Sequence, residues 1–232
     1  MNIVGIVGGL GPETTAEFYL GTISRHKKFN DFCYPRIIID SVPVPSAVEE
    51  RMILEGVGFD DYEPLLVKSA LTLQAAGCDF LVMPCNTLHV LYDNIQTQLR
   101  IPLLNILSIT ASECAIHGYS RVTVLGTRRT ILSRLYEPDL DKINIKSIPL
   151  KADEIDTLSA LIYTLLKHGG SVESKNALLR IINNVAHRGA DSIILGCTDL
   201  QLILKPGDPE SPIPVVDSVD SLIDATVLKI NQ

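Results

Sequence analysis

The chain contains no tryptophan, and only 5% of its 232 residues are aromatic. This scarcity removes the stacking surfaces on which proteins hold single-stranded nucleic acids. The chain also has no block of basic residues, and its formal net charge is −7. We therefore expect neither nucleic acid nor an anionic membrane surface as a partner. A hydrophobic content of 46% and a charged content of 20% are typical of a globular protein with a large core.

The sequence has no apolar stretch of the roughly 18 residues that a membrane-spanning helix needs. The first apolar run is interrupted by glycines and has no basic residue before Arg25, so no signal peptide is predicted. The five cysteines are an odd number and include no CxxC pair. These observations favour a cytoplasmic protein with reduced thiols over a disulfide scaffold or a zinc site.

Apolar segments alternate with segments of helical spacing along the chain. "NIVGIVGG", "PRIIIDSV", "DFLVMP" and "DSIILG" are near-continuous apolar runs, which are typical of parallel strands covered on both faces. Helices are predicted over about 60–76, 153–168 and 171–188, and one more over "RTILSRLYEPDL". A loop with Pro43 and Pro45 is expected after the second strand. The pattern predicts an α/β fold with parallel sheets.

An internal repeat divides the chain. "GCDFLVMPCNT" and "GADSIILGCTD" match, and their cysteines, Cys85 and Cys197, are 197 − 85 = 112 positions apart. "IPLLN" and "IPVVD" follow at the same offset, and "VGIVGG" matches "VTVLGT" further upstream. Such a repeat indicates duplication. We expect two pseudo-symmetric lobes, each with a mostly parallel four-stranded sheet flanked by helices. Lobe one is predicted to comprise residues 1–103 and 214–232, and lobe two residues 104–213.

Cys85 and Cys197 each follow an apolar strand and precede small polar residues. Ligands of open parallel sheets bind beyond the carboxyl ends of the strands, and N–H groups at a helix start favour thiolates and other anions. Free cysteines usually just pack in the core, which is the interpretation for Cys33, Cys78 and Cys114. Matched positions in a duplicated unit favour a functional role for the other two.

Two thiols on opposite sides of one ligand suit a racemase. That reaction removes a proton from one face of a carbon and delivers a proton to the other face, so each face needs a group that serves as base or acid. The alternative at this point is a two-lobed protein that binds a small anion without catalysis. A nicotinamide dehydrogenase is disfavoured, since the glycine-rich turn fails the G-x-G-x-x-G pattern at Thr14 and contains Pro12.

The segments "IVGGLGPETTAEFY", "GCDFLVMPCNTLH" and "RGADSIILGCTDL" resemble the cofactor-independent aspartate/glutamate racemase family, and most closely the aspartate racemases. The resemblance covers nearly the whole chain. It implies an active site between two α/β lobes, usually a homodimer, and no pyridoxal phosphate or metal. It also implies that Cys85 and Cys197 are the catalytic pair and that Asn86, Thr87 and Thr198 hold the α-carboxylate or the amino group.

The resemblance implies roles for other residues as well. Asp199 stands where the family most often has Glu, so it is a possible helper of shorter reach. Thr127 matches a turn at which the family often places a hydroxyl near the ligand. Independently of the resemblance, the N–H groups of Gly9 to Gly11, around Leu10, are expected to meet a carboxylate. His89 is read as a buried helix residue, with a position facing the cleft as the alternative.

Aspartate is the predicted substrate, and its side-chain carboxylate needs a cation. Arg51 and Lys167 correspond approximately to an Arg and a Lys of archaeal aspartate racemases. The alternatives are a solvated loop charge for Arg51 and a cation at a helix C-terminus for Lys167. Arg51 is preferred because guanidinium pairs with carboxylate in a bidentate manner. Glutamate racemase, broad-specificity amino-acid racemase, hydantoin racemase and maleate-type isomerase remain open, since the same two thiols serve several substrates.

Overall fold

Two parallel β-sheets covered by helices form the frame of the computed structural model, which describes residues 1–30 and 33–232. The strands are β1 (Val4–Gly8), β2 (Ile37–Ser41), β3 (Phe80–Val82), β4 (Arg121–Gly126), β5 (Lys146–Ser147), β6 (Ser192–Gly196) and β7 (Val215–Asp217). Within the described residues, one sheet has the order β2-β1-β3 and the other β5-β4-β6-β7, with every pair parallel. The predicted α/β fold with two parallel sheets is confirmed.

Helices cover the sheets. They are α1 (Pro12–Phe29), α2 (Ser46–Glu55), α3 (Phe59–Ala75), α4 (Tyr92–Gln96), α5 (Ile106–Ile116), α6 (Arg128–Leu132), α7 (Glu137–Lys142), α8 (Ala152–His168), α9 (Val172–His187) and α10 (Ser218–Ile230). Two short 3₁₀ helices, Thr87–Leu91 and Thr198–Leu202, follow β3 and β6 after brief connections. In the part of the chain that the structure describes, no helix combines the length and the apolar character that crossing a bilayer requires.

The predicted fourth strand of the first sheet, "IPLLNI", is reduced to a single parallel bridge between Leu81 and Leu103. The Leu81 N–H donates to the Pro102 carbonyl at 2.8 Å, and the Leu104 N–H donates to the Leu81 carbonyl at 2.9 Å. The polypeptide then turns at once into α5, whose first N–H groups are capped by the Asn105 side chain. The early helix cap therefore ends the pairing after one residue.

The helices differ from the expectation in two places. The expected loop does contain Pro43 and Pro45, but the segment that follows it, for which no helix was predicted, is α2, which ends at Gly56 with a φ of 70°. The segment "RTILSRLYEPDL" is two short helices, α6 and α7, because Arg134 between them has a φ of 51°, which no α-helix accommodates. The first of these differences matters for the site, since α2 forms one wall of the cavity.

The C-terminal elements contact both halves of the molecule. β7 extends the second sheet by pairing with β6, whereas α10 packs against α1 and α5. The predicted lobe boundaries at residues 103 and 213 therefore stay a proposal.

The turn after β1 depends on Gly9. Its φ is 81°, and a Cβ at this position would lie 2.6 Å from the carbonyl oxygen of Val42 and 2.7 Å from its nitrogen. No other residue fits without moving the backbone that follows β2. The close approach brings Leu10 and the start of α1 to the carboxyl ends of β1 and β2.

Candidate active site

The carboxyl ends of both sheets open into one cavity of about 460 Å³. Strand β3 leads through Met83 and Pro84 to Cys85, and β6 leads directly to Cys197. Both thiols line the cavity, and both belong to the same cluster of buried apolar residues. The structure thus brings together the two cysteines that the repeat singled out, 112 positions apart.

Most of the predicted site residues line this cavity. The lining includes Leu10, Cys85, Asn86, Thr87, Thr127, Lys167, Cys197, Thr198 and Asp199. Arg51 is absent from the lining, although every other predicted binding residue is present. The lining that the sequence analysis did not assign consists of Gly11, Pro12, Glu13, Thr14, Glu17, Glu49, Met52, Ile53, Leu165, Leu166, Gly169, Gly196 and Leu202.

Cys85 is 8% exposed, and burial raises the pKa of its thiol to about 11. Hydrogen bonds from the backbone N–H groups of Leu88 and Thr87 oppose this shift, because they stabilise the thiolate, while the charges of Asp199 and Glu49 add to it. The sulfur therefore faces the N–H groups that begin a 3₁₀ helix, as expected for a strand end. With this pKa the thiol is protonated at neutral pH.

Cys197 is also 8% exposed, and its Sγ lies 3.5 Å from Oδ2 of Asp199, to which the thiol donates. Burial raises the pKa of this thiol well above its usual value, and the Asp199 carboxylate raises it further. The backbone N–H of Asp199 acts in the opposite direction. Burial likewise raises the pKa of the Asp199 carboxyl. Asp199 is thus a direct neighbour of one thiol, and its role as a helper stays a prediction.

Asn86 is fixed by a buried hydrogen-bond network. Its Nδ2 donates to Oγ of Ser218 at 2.9 Å, and the hydroxyl of Tyr136 donates to its Oδ1. Ser218 in turn donates to the carbonyl of Leu195 at 2.7 Å. An amide has two N–H donors, so one N–H of Asn86 is left for a ligand. The network ties the residue after Cys85 to the strand that leads to Cys197, and sequence reasoning did not detect Tyr136 or Ser218.

Three threonine hydroxyls meet between the two sheets. Oγ1 of Thr87 lies 2.9 Å from that of Thr127 and 3.2 Å from that of Thr130, and the last two are 3.1 Å apart. Three hydroxyls hold three protons, so a closed triangle uses every donor internally while lone pairs remain to accept. Thr127 also caps α6 by accepting from the Thr130 N–H. The hydroxyls can therefore accept from an ammonium group of a ligand, and a hydroxyl that turns out of the triangle can donate to a carboxylate.

The two predicted cations lie in different places. Arg51 has a side chain that is 52% exposed and points to Asp61, with Nη1 3.8 Å from Oδ2. Lys167 lies at the end of α8 and lines the cavity, and its Nζ is 5.6 Å from the ring centre of Tyr163. No contact in the structure supports Arg51 as a ligand of the substrate, so that assignment stays a prediction, and Lys167 is the better placed of the two.

His89 is buried and serves the fold. Its Nδ1 donates to the carbonyl of Cys85 at 2.7 Å, and its Nε2 accepts from the N–H of Ile106 at 3.2 Å. Burial lowers the pKa of the imidazole to about 4, so it is neutral, as one donor and one acceptor nitrogen require. The ring holds the loop that carries Cys85, which agrees with the prediction of a buried helix histidine.

Three acidic residues of the lining were missed as site residues. Glu13 and Glu17 lie one turn apart on α1, and Glu49 lies on α2. The i, i+4 spacing of the first two was visible in the sequence, but it is equally typical of a solvated helix face. Glu49 could not be placed because no helix was predicted between the loop of Pro43 and Pro45 and the helix that was expected from about residue 60.

Comparison with known proteins agrees with the geometry. A sequence profile of the Asp/Glu/hydantoin racemase family matches residues 7–226. A broad-specificity amino-acid racemase of Bacillus subtilis is 32% identical over 229 residues, covering 97% of this chain and 96% of the relative. Among solved structures, a proposed Asp/Glu racemase from Yersinia pestis superimposes with a TM-score of 0.87 at 27% identity, covering 100% of both chains.

The aspartate racemase of Picrophilus torridus shares the fold at 23% identity, with a TM-score of 0.78, covering 100% of this chain and 95% of the other. The profile covers most of the chain and includes both cysteine motifs. The two-sheet architecture is common to this chain and its relatives in fold. The chain belongs to the Asp/Glu/hydantoin racemase family.

Proposed function

We propose that the protein interconverts the enantiomers of an amino acid by a two-base transfer of the α-proton between Cys85 and Cys197. The observation that carries this proposal is that two buried thiols, from matched strand ends of different sheets, line one cavity. The cavity is of a size that suits a small ligand.

The reaction requires one sulfur to be a thiolate and the other a thiol. The thiolate takes the proton from Cα, the electron pair stays on the carbon next to the carboxylate, and the opposite thiol donates its proton to the other face. Each sulfur ends with the protonation state that the other had at the start. The enzyme in that state acts on the opposite enantiomer.

The surroundings of Cys85 act on its thiolate in opposite directions. The N–H groups of Thr87 and Leu88 stabilise the thiolate, but burial keeps the pKa of the thiol at about 11. A substrate ammonium that enters the cavity adds a positive charge and lowers that pKa. Substrate binding is therefore expected to favour the thiolate that serves as the base.

The substrate is not decided by the two thiols. Aspartate was predicted from the sequence, and Lys167 is the lining residue that would receive its side-chain carboxylate. The B. subtilis relative is described as a broad-specificity amino-acid racemase. That description supports a range of amino acids as the candidate substrates of this chain, with the reaction unchanged.

The test is racemisation in D₂O. Purified protein is incubated with each of a panel of L-amino acids. The enantiomers are separated by chiral chromatography, and the deuterium content of each is measured by mass spectrometry. With two bases, D-amino acid formed early carries deuterium at Cα, because the donating thiol has exchanged with solvent. A single base that serves both faces would return the original hydrogen, and early product that retains it would exclude the two-thiol mechanism.

Variants of the cysteines complete the test. Cys85→Ser and Cys197→Ser should each lower racemisation by at least about a hundredfold, since each removes an acid–base group. Cys33→Ser is the control: the expectation that Cys33 packs in the core was wrong, since it is exposed, and it does not line the cavity. Full activity in either of the first two variants would remove that cysteine from the mechanism.

A further inference from the structure

We propose that the cavity selects amino acids whose side chain is positively charged, which rests on the proposed racemase function and names its substrate class. The charged residues of the lining are Glu13, Glu17, Glu49, Asp199 and Lys167. Four carboxylates and one ammonium give a formal charge of 1 − 4 = −3 for these side chains. The α-carboxylate and α-ammonium of an amino acid cancel each other, so this excess is available to the substrate's side chain.

Three of these four carboxylates have no ion-pair partner among the described residues. Among the described residues, Glu13, Glu17 and Glu49 take part in no ion pair, while Asp199 accepts from Cys197. One carboxylate suffices for the α-ammonium of the substrate. Glu13 and Glu17 are exposed to solvent, Glu49 is half-buried, and Lys167 is the cation among the described lining residues.

Glu49 lines the same cavity as Cys85, and its carboxyl feels the charges of Asp199, Glu13 and Lys167. Burial raises the pKa of its carboxyl, and the charges of Asp199 and Glu13 raise it further, whereas Lys167 lowers it. The charge of Glu49 also raises the pKa of Cys85. A carboxylate on the substrate's side chain would add another like charge here, whereas an ammonium or guanidinium would relieve the repulsion.

The wall around Glu49 suits a long aliphatic chain that ends in a charge. Met52 and Ile53 follow Glu49 by three and four positions on α2, so they share its face, and all three line the cavity. Leu165 and Leu166 of α8 add apolar surface to the same lining. Lysine and arginine bury their methylene stems on such surfaces while the charged end reaches a polar group. The wall thus offers apolar surface for the stem and a carboxylate for the end.

The experiment compares kcat/KM for L-lysine, L-alanine and L-aspartate, measured from initial rates by chiral chromatography. We expect lysine to be preferred to alanine and alanine to aspartate. Glu49→Gln should reduce the lysine-to-alanine ratio of kcat/KM by about ten- to a hundredfold, as loss of a charge-assisted hydrogen bond does. Glu50→Gln is the matched control: Glu50 neighbours Glu49 on α2 but accepts from the Tyr163 hydroxyl at 2.9 Å and does not line the cavity. The lysine-to-alanine ratio of kcat/KM in Glu50→Gln should stay at the wild-type value.

Two kinds of failure are distinguishable. Preference of the wild-type enzyme for aspartate over lysine would overturn the charge selection and leave the racemase intact, and so would an unchanged lysine-to-alanine ratio in Glu49→Gln. The wild-type ranking decides the point even when Glu49→Gln does not fold. Absence of racemisation with every amino acid, or racemisation that survives Cys85→Ser, would instead overturn the proposed function and this inference with it.

Discussion

Slow, strongly pH-dependent alkylation of Cys85 is the most direct consequence of the site's geometry. Burial raises the pKa of this thiol to about 11, and only the thiolate reacts with iodoacetamide. The rate of alkylation is measured at several pH values, with no substrate added. A Cys33→Ser background keeps the exposed thiol of Cys33 from consuming the reagent.

The magnitude follows from the fraction of thiolate. At pH 8 a thiol of pKa about 11 is about 0.1% ionised, whereas an ordinary thiol of pKa about 8.5 is about one quarter ionised. Cys85 should therefore react about 200-fold more slowly than an ordinary cysteine, before any further loss from restricted access. Its rate should rise about tenfold for each pH unit between pH 7 and pH 9.5, since the thiolate fraction rises by that factor.

The assay digests samples taken at intervals and quantifies the alkylated peptide that contains Cys85 by mass spectrometry. Restricted access lowers the rate equally at every pH, so the slope isolates the effect of the pKa. A rate that levels off below pH 9.5 would refute the argument that burial holds the thiol protonated. Glu49→Gln removes a like charge and should raise the rate at a given pH, with Glu50→Gln as its control.

Two further predictions concern the buried polar network around the site. Tyr136→Phe leaves Oδ1 of Asn86 without its hydrogen-bond donor. Because an unsatisfied buried acceptor costs about 1–3 kcal/mol, we expect Tm to fall by roughly 2–12 °C in a chain of this size. Tyr92→Phe, at a partly buried hydroxyl, is the control, and equal losses in thermal denaturation would contradict the account. Burial raises the pKa of Asp217 to about 7, above an unfolded value of about 3.9. The protonated carboxyl therefore contributes to the free energy of unfolding in full below about pH 4, and this contribution is lost as the pH rises through about 7. Asp217→Asn should lessen the fall in the free energy of unfolding between pH 5 and pH 8, as measured by urea titration, and an unchanged pH dependence would disprove this role.

The sequence by itself determined the parts of the site that are local in the chain. A buried parallel strand is a short apolar run, and its carboxyl end is where the run stops, so Cys85 and Cys197 could be placed by reading along the chain. The repeat added the long-range information, because duplicated units occupy equivalent positions. The α/β class followed for the same reason, since alternation of strands and helices is a local pattern.

Only the tertiary structure decided which other side chains meet the thiols. The network of Asn86, Tyr136 and Ser218 joins residues 50 and 132 positions apart, and no local pattern records such a contact. Arg51 and Glu49 are two positions apart on one helix and therefore face different directions, one toward Asp61 and the other into the cavity. The elements that pack against a helix decide which of its faces points into the cavity. The paired thiols could therefore be predicted from the sequence, whereas the negative charge of the cavity became visible only in the fold.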